Sequence, residues 1–373
     1  MICSSVSFCN YRNIALETVS FDEGVNVLWG DNAQGKSNIL EGIYFFARGR
    51  SFRGAREREL IRFGEKTAQL SLTFRRAGAD YPVTLEADLP QAGRKVLRRG
   101  GARLSGVREM IGNFRAVLFC PTHLSLVSGG PALRRSFLDI ALSQLYPAYL
   151  DSLSRYNRIL AQRNALIKSG GSADAAVWEV YARQLARLGA DIAVRRYDYM
   201  TALGTQVAQI FDHMTQGKES PRLVYQSGVL PEERAGEEAF RKSGEARLFA
   251  ALTESIDREM RYGATLYGIH KDDISIRLNG REARAYASQG QQRSLALAMK
   301  LAEGEMARRI GGEYPVFLLD DVLSELDGHR RAFILEALTG RQIIVTSCEP
   351  ADFHISGVRM LQVREGCVLP QTN

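Results

Sequence analysis

The sequence predicts an α/β fold in which the two chain ends build one head and a helical hairpin is inserted between them. Three observations carry that reading. A glycine-rich loop, Gly30-Asp31-Asn32-Ala33-Gln34-Gly35-Lys36-Ser37, sits between a strand-like and a helix-like segment. A short apolar run, Val316-Phe317-Leu318-Leu319, closes on Asp320-Asp321 near the other end. The stretch between them repeats apolar residues every three or four positions. The head is therefore expected over residues 1–122 and 263–373, and the arm over 123–262.

Taken in order, Val25, Val27 and Trp29 alternate with other residues as a strand feeding a loop should. The segment from Lys36 to Phe46 has helical spacing and no proline. Strand-like pieces follow at 69–74, 83–87 and 114–119, and Gly100-Gly101 between Val96-Leu97 and Arg103-Leu104 reads as a hairpin turn. Leu138, Leu142, Leu145, Tyr149, Leu153, Tyr156 and Leu160 then form a near-heptad seam, which Pro147 interrupts by kinking or restarting the helix. Ser169-Gly170-Gly171-Ser172 reads as a turn leading to a second seam through Val177, Tyr181, Leu185, Leu188 and Ile192, giving an antiparallel hairpin. The polar stretch from Pro221 to about Ala246 is expected to be rich in loops. Strand texture returns after Gly263, with 274–278 running into Asn279-Gly280, a strong hairpin signal.

A chain of 373 residues suggests two domains, and 45% hydrophobic content with 24% charge supplies a large core. No run of 18 apolar residues points to a membrane span, and the first residues lack the basic start of a signal peptide. Cys3, Cys9, Cys120, Cys348 and Cys367 are scattered, odd in number and never spaced C-x-x-C, so free thiols in a reducing compartment are expected and no zinc site is suggested. A net charge of +7 tilts the partner question toward a polyanion.

The chemistry starts at the glycine loop. Gly30 and Gly35 let successive backbone N–H groups curl toward phosphate oxygens, and the following helix adds its positive end. Lys36 can reach the β- and γ-phosphates, and the Ser37 hydroxyl can take a magnesium position. Asp320, ending an apolar strand, can hold the same magnesium, and Asp321 is the candidate base for an attacking water. Ser288-Gln289-Gly290-Gln291-Gln292 precedes the apolar helix of Leu295 to Met299, so its serine and glycine lie at a second helix N-terminus suited to an anion.

With these three motifs in this order, the chain resembles the head of the ABC/SMC ATPases and, within them, the RecF family of recombination mediators. The resemblance covers essentially the whole chain. It includes Asn10-Tyr11-Arg12-Asn13, Arg48-Gly49-Arg50-Ser51-Phe52-Arg53, Arg134-Arg135-Ser136-Phe137-Leu138-Asp139, His270-Lys271-Asp272-Asp273, Tyr286 to Gln292, and Leu319 to Asp327. Phe52 stands where that pattern has histidine, and Ile269-His270-Lys271 where it reads Pro-His-Arg.

The resemblance implies ATP and magnesium as cofactors. It implies a phosphate loop of Gly30, Asp31, Asn32, Ala33, Gln34, Gly35, Lys36, Ser37 and Asn38. It places Ser288, Gly290 and Gln291 on the γ-phosphate of a second copy, and Asp327 in a loop signalling between the two sites. Arg12 is expected on the α-phosphate or adenine side, and His270 as a structural histidine bonded to Asp272 or backbone, or else a functional contact. It further implies a cytoplasmic, nucleoid-associated DNA-binding switch with weak, DNA-stimulated ATPase activity. That switch would dimerise on ATP, act with RecR and RecO in recombinational repair, and support replication and the SOS response.

Two basic clusters could meet the DNA: Arg53, Arg56, Arg58 and Arg62, then Arg94, Lys95, Arg98, Arg99 and Arg103. No aromatic–basic alternation suggests a base-stacking platform, so phosphate contacts with strong salt dependence are expected. Two other classes share the glycine loop. A transporter ATPase subunit usually carries its signature loop much nearer the first motif, and a P-loop kinase or GTPase has no use for Ser288.

Overall fold

In the strand Ile2–Tyr11 a bulge between Cys3 and Ser5 and the left-handed Asn10 (φ 54°) each reset the alternation, so that Cys3, then Val6 and Phe8, then Tyr11 all turn inward. The computed structural model describes residues 1–170, 174–234, 236–348 and 357–370. These fall into two units, Met1–Ser125 with Arg293–Asn373, and Leu126–Gln292.

The first unit carries two six-stranded sheets. One is antiparallel, in the order Ile14–Ser20, Ile2–Tyr11, Thr67–Arg75, Val83–Pro90, Val96–Arg99, Ala102–Arg103. Its last two strands meet at Gly100 (φ 55°) and Gly101 (φ 79°), the paired positive φ of a type I′ hairpin. The other sheet runs Cys367–Pro370, Arg359–Arg364, Val25–Trp29, Ile343–Ser347, Val316–Leu319, Ala116–Phe119. All its neighbours are parallel except the first pair. Val316–Leu319 and Ala116–Phe119 are buried at every position, which is why they read as apolar runs without alternation.

Helix Lys36–Arg48 buries Ile39, Leu40, Ile43 and Phe46, and Gly42 lies so close to the Phe8 ring that an added Cβ would stand 2.2 Å from it. The phosphate-type loop thus leaves the C-terminal end of the strand Val25–Trp29. Asp320 leaves the same end of Val316–Leu319, with only Ile343–Ser347 between them in the sheet. Ligands of open α/β sheets gather at such strand ends.

The second unit is not purely helical. Helices Pro131–Leu145 and Pro147–Lys168 are separated by the extended Tyr146, and Pro147 occupies the first turn of the second, so the proline restarts the helix. Of the expected turn, Gly171 and Ser172 lie outside the described residues. Helix Ala175–Thr215 is 41 residues long, roughly 60 Å at 1.5 Å per residue.

Its buried stripe is Trp178, Ala182, Leu185, Ala186, Gly189 and Ala190, whereas Val177 is exposed and Tyr181 and Leu188 are half-buried. Of the expected second seam, Leu185 and Ile192 are therefore buried, and the rest of the buried face is filled by Trp178 with the small Ala182, Ala186, Gly189 and Ala190. The expected loop-rich stretch after Pro221 instead forms the strand Pro221–Gln226 and helix Glu237–Glu254. Pro221 is tolerated at a strand start, and Glu237 and Glu238 suit the helix N-terminus, so polarity concealed both elements.

That strand pairs with Asp273–Leu278, which turns through Asn279 (φ 51°) and Gly280 (φ 80°) into Arg281–Glu282. This sheet lies within the second unit, so the division falls at Ser125 and Gln292 rather than at 122 and 262.

Buried ion pairs organise the second unit. Arg163 and Glu259, both fully buried, meet at 2.6 Å, and Arg163 also donates to Thr265 Oγ1 at 2.8 Å. Arg196 donates to Asp139 at 2.8 Å and to the Ile269 carbonyl at 2.9 Å. His270 lies between the Tyr156 hydroxyl and the Thr265 carbonyl, each 3.1 Å away, so its partner is backbone and tyrosine rather than Asp272. Burial lowers its pKa to about 4, which keeps the ring neutral at pH 7. The Asp272 carboxylate is taken by the Tyr225 hydroxyl.

Candidate nucleotide-binding site

The loop after Trp29 is set by three positive-φ residues, Gly30 (148°), Ala33 (65°) and Gly35 (116°). A Cβ on Gly30 would lie 2.4 Å from the Val363 carbonyl oxygen, so only glycine fits there. Gly35 precedes helix Lys36–Arg48 in the left-handed region and leaves the first-turn N–H groups without a side-chain cap, an arrangement that suits an anion. Lys36 is 4% exposed. Its ammonium donates to the carbonyls of Gly30 (2.5 Å) and Asp31 (2.8 Å), and its third partner is the Cys348 sulfur at 3.8 Å. Sulfur is a weak acceptor that a phosphate oxygen would readily replace.

The loop is held from behind. The Gln34 carbonyl accepts from Gly366 N–H (2.9 Å) and from Asn13 Nδ2 (3.1 Å), and Gln34 Oε1 accepts from Glu365 N–H (2.6 Å). Asn38 donates to Asn13 Oδ1 and accepts from Arg53, both at 2.8 Å. Asn32 Oδ1 accepts from the Cys348 thiol at 3.2 Å.

Asp320 is 7% exposed, stands beside Ser37 and accepts from Thr346 Oγ1 at 3.4 Å. Burial pushes its pKa up, and the neighbouring Asp321 adds to the rise against the lowering contacts of Ser37, Arg53 and Thr346. Asp321 sits in the left-handed region (φ 49°), its N–H donating to Thr346 Oγ1 at 2.9 Å while Oδ1 accepts from that hydroxyl at 3.0 Å. Thr346 thereby fixes both carboxylates from the intervening strand.

A buried carboxylate crowded by a second one, beside a serine hydroxyl, is an oxygen donor set that fits magnesium. No group of three His, Cys, Asp or Glu residues among the described residues could hold a metal alone, so such an ion would draw its remaining ligands from phosphate and water.

The third motif belongs to the second unit. Ser288 Oγ accepts from Gln291 N–H at 3.2 Å and Gln291 Oε1 accepts from Ser288 N–H at 2.7 Å, a reciprocal cap of helix Gln289–Gly311. Gln291 Nε2 is tied to Glu219, and Gln292 Nε2 donates to the Ala287 carbonyl at 3.0 Å. Ser288 is exposed and Gly290 half-buried. In the first unit, Asp327 caps helix Gly328–Ala337 by accepting from Arg330 N–H at 3.0 Å, and Arg330 Nε reaches Ser294 Oγ at 2.8 Å. The Asp327 loop is thus bonded to the helix that follows the signature-type loop.

The basic residues divide. Arg98 is paired with Asp88 at 2.7 Å, and Lys95 with Glu57 and the Gly49 carbonyl at 2.5 and 2.8 Å. Arg53 is held by Asn38 at 2.8 Å. Arg56, Arg94, Arg99 and Arg103 are exposed. The Lys95–Glu57 pair joins what the sequence presents as two separate clusters, and Arg94, Lys95 and Arg103 line a cavity of about 730 Å³ with Glu57 and Val107.

Sequence reasoning missed two supports of this site. Arg12 is bound through Nε and a terminal nitrogen, both at 2.9 Å, to the fully buried Glu41 of the loop's own helix, with Ser51 Oγ donating to the same carboxylate. The other terminal nitrogen of Arg12 donates to the Glu59 carbonyl at 3.0 Å. Glu41 sits inside an otherwise apolar helix stretch, the one signal that could have exposed it. Thr346 gave no signal, because its partners come from a neighbouring parallel strand.

A parallel sheet presenting a glycine loop and a strand-end acidic pair, with a capped second loop after an insertion, defines an ATPase head of the SMC class. The family model described as RecF/RecN/SMC N terminal domain matches residues 3–366. The DNA replication and repair protein RecF of Limosilactobacillus fermentum is 39% identical over 351 residues, 93% of this chain and 92% of that one. Its namesake in Symbiobacterium thermophilum is 39% identical over 376 residues, 99% and 98% of the two chains. A solved structure of the recombination mediator protein RecF with ATP, in the RecFOR pathway, superposes with a TM-score of 0.91 at 33% identity, covering 100% of this chain and 98% of the other. The Smc head domain of Pyrococcus furiosus bound to the C-terminal domain of ScpA shares the fold, with a TM-score of 0.57 at 17% identity over 100% and 96% of the chains. The chain belongs to the RecF family.

Proposed function

We propose that this chain is an ATP-dependent switch of DNA repair and recombination, which binds ATP at the Gly30–Ser37 loop and closes as a head-to-head dimer on DNA. The observation that carries the reading is the pairing of the curled glycine-rich loop Gly30–Ser37 with an exposed, capped Ser288–Gln292 loop in one chain. An exposed helix N-terminus of that kind suits the γ-phosphate of a nucleotide held by a second copy. Family membership supports the same reading: relatives are named for DNA replication and repair, and one was solved with ATP.

In this reading Lys36 binds the β- and γ-phosphates, Ser37 and Asp320 hold magnesium, and Asp321 orients the attacking water. Ser288, Gly290 and Gln291 cover the partner's nucleotide, and Asp327 relays its presence through Arg330 and Ser294. Magnesium supplies charge neutralisation at the phosphates; the chain's residues supply position. Hydrolysis is slow and resets the switch. Cooperation with mediators such as RecR and RecO is part of the same reading, and the RecFOR context of the solved relative supports it. A transporter subunit is disfavoured by the mixed α/β insertion separating the two loops.

The test is sizing with and without ATP and magnesium, in an Asp321→Asn background that slows hydrolysis. A dimer is expected only with nucleotide. Ser288→Arg is expected to abolish that dimer while leaving ATP affinity intact, and a monomer under every condition overturns the reading.

A further inference from the structure

Phe63 is 103% exposed, and it does not sit on a floppy loop. Arg62 N–H donates to the Asn10 carbonyl at 2.9 Å, and Glu65 N–H closes a turn on the Arg62 carbonyl at 3.0 Å. Gly64 supplies the positive φ (87°) that a type II turn needs after Phe63. Ile61 is buried and bridges Tyr11, while the Lys66 carbonyl accepts from Gln91 N–H at 2.9 Å. Both legs of the turn are therefore fixed to the antiparallel sheet, and the ring is presented to solvent with little backbone entropy left to lose.

Its surroundings are cationic. Arg58, Arg62 and Lys66 are exposed and have no side-chain partner among the described residues. Of the three nearby acids, Glu57 is neutralised by Lys95, which leaves Glu59, bonded to the Arg56 N–H at 3.0 Å, and Glu65 against the three cations. An exposed aromatic ring with three exposed, unpaired cations within five residues of it in the chain matches an unstacked nucleobase flanked by phosphates, the chemistry of single-stranded or gapped DNA. A protein partner with an apolar pocket would not call for three free cations around one ring.

We propose that Phe63 stacks on an unpaired base of DNA whose neighbouring phosphates are bound by Arg58, Arg62 and Lys66. This rests on the DNA reading above and deepens it, by assigning preference for unpaired positions to one turn. It is a single stacking contact rather than a platform, which is why the sequence shows no aromatic–basic repeat.

The test is fluorescence anisotropy on a single strand, a gapped duplex and a blunt duplex of equal length, with the full chain, ATP and magnesium. Phe63→Ala is expected to weaken single-strand and gap binding about tenfold, while blunt-duplex binding changes less than twofold. Phe63→Trp is expected to restore binding and to quench 2-aminopurine placed in the gap. Arg62→Ala is expected to weaken all three DNAs and to lower the salt slope by about one, which Phe63→Ala does not. Because Phe63 is fully exposed, its variants are expected to keep the wild-type thermal transition. Equal binding by Phe63→Ala and wild type on all three DNAs overturns the proposal, as does an equal loss on blunt duplex. Loss of the ATP-dependent dimer with DNA binding intact also overturns it, assigning Phe63 to a second copy. If the wild type binds no DNA at all, the broader reading fails first.

Discussion

The Arg12–Glu41 pair makes a prediction whose size follows from unequal burial. Glu41 is 0% exposed, and its carboxylate takes two N–H groups of Arg12 at 2.9 Å each together with the Ser51 hydroxyl. Arg12 retains 21% exposure and a second anchor on the Glu59 carbonyl. Arg12→Ala therefore strands an anion where water cannot reach it, which costs about 3–5 kcal/mol. Glu41→Gln keeps the volume and one acceptor, and the arginine left behind can rehydrate, so its cost is about 1–2 kcal/mol.

Combining the two should cost less than their sum by about 1–3 kcal/mol, the coupling of contacting groups. Trp29 lies in the first unit and Trp178 in the second, and they are the only tryptophans, so a Trp178→Phe background makes Trp29 fluorescence a local reporter of urea unfolding. If Arg12→Ala costs no more than Glu41→Gln, the asymmetry argument is wrong. ATP affinity measured on the same variants separates a second role: a nucleotide contact from Arg12 predicts at least a tenfold loss in Arg12→Ala that Glu41→Gln does not share.

Three further expectations are independent of that pair. Gly30→Ala forces a Cβ to 2.4 Å from the Val363 oxygen and should lower ATP affinity at least tenfold by calorimetry, whereas Gly54→Ala, also at positive φ but with nothing within 4 Å, should leave it unchanged. His270 has its pKa lowered to about 4, so the native state resists the proton that the unfolded chain accepts. Its contribution is complete above about pH 6.5, and up to about 3 kcal/mol is lost as pH falls toward 4; His270→Asn should flatten that limb of the Trp178-monitored stability curve. In a Cys367→Ser background, which removes the other exposed thiol, Cys348, exposed and 3.8 Å from the Lys36 ammonium, should be protected from maleimide by ATP, and its adduct should block ATP binding, while adding Cys348→Ser should leave ATP binding insensitive to the reagent.

How far the sequence could be read depended on whether a function sits in consecutive residues. The glycine loop is legible because its curled backbone, Lys36 and Ser37 follow one another, and the strand before it and the helix after it form where the sequence places them. Asp320 is legible because burial on both faces makes Val316–Leu319 a solid apolar run with an abrupt polar end.

What could not be read is what folding brings together from afar. Thr346 reaches both aspartates only because Val345 pairs with Leu319 across two parallel strands. Arg163 and Glu259 advertise themselves as surface charges until both are found fully buried against each other. The arm boundary failed for the same reason, since Pro221–Gln226 becomes a strand only by pairing with Asp273–Leu278.

The basic clusters lie between these cases. Their composition is plain, but Asp88 and Glu57 decide which cations are spent on the protein itself. Arg98, one of the basic residues expected to meet DNA, is therefore a weaker choice for a DNA contact than Arg62. Charge on the page is potential; the unpaired remainder after folding is what a polyanion meets.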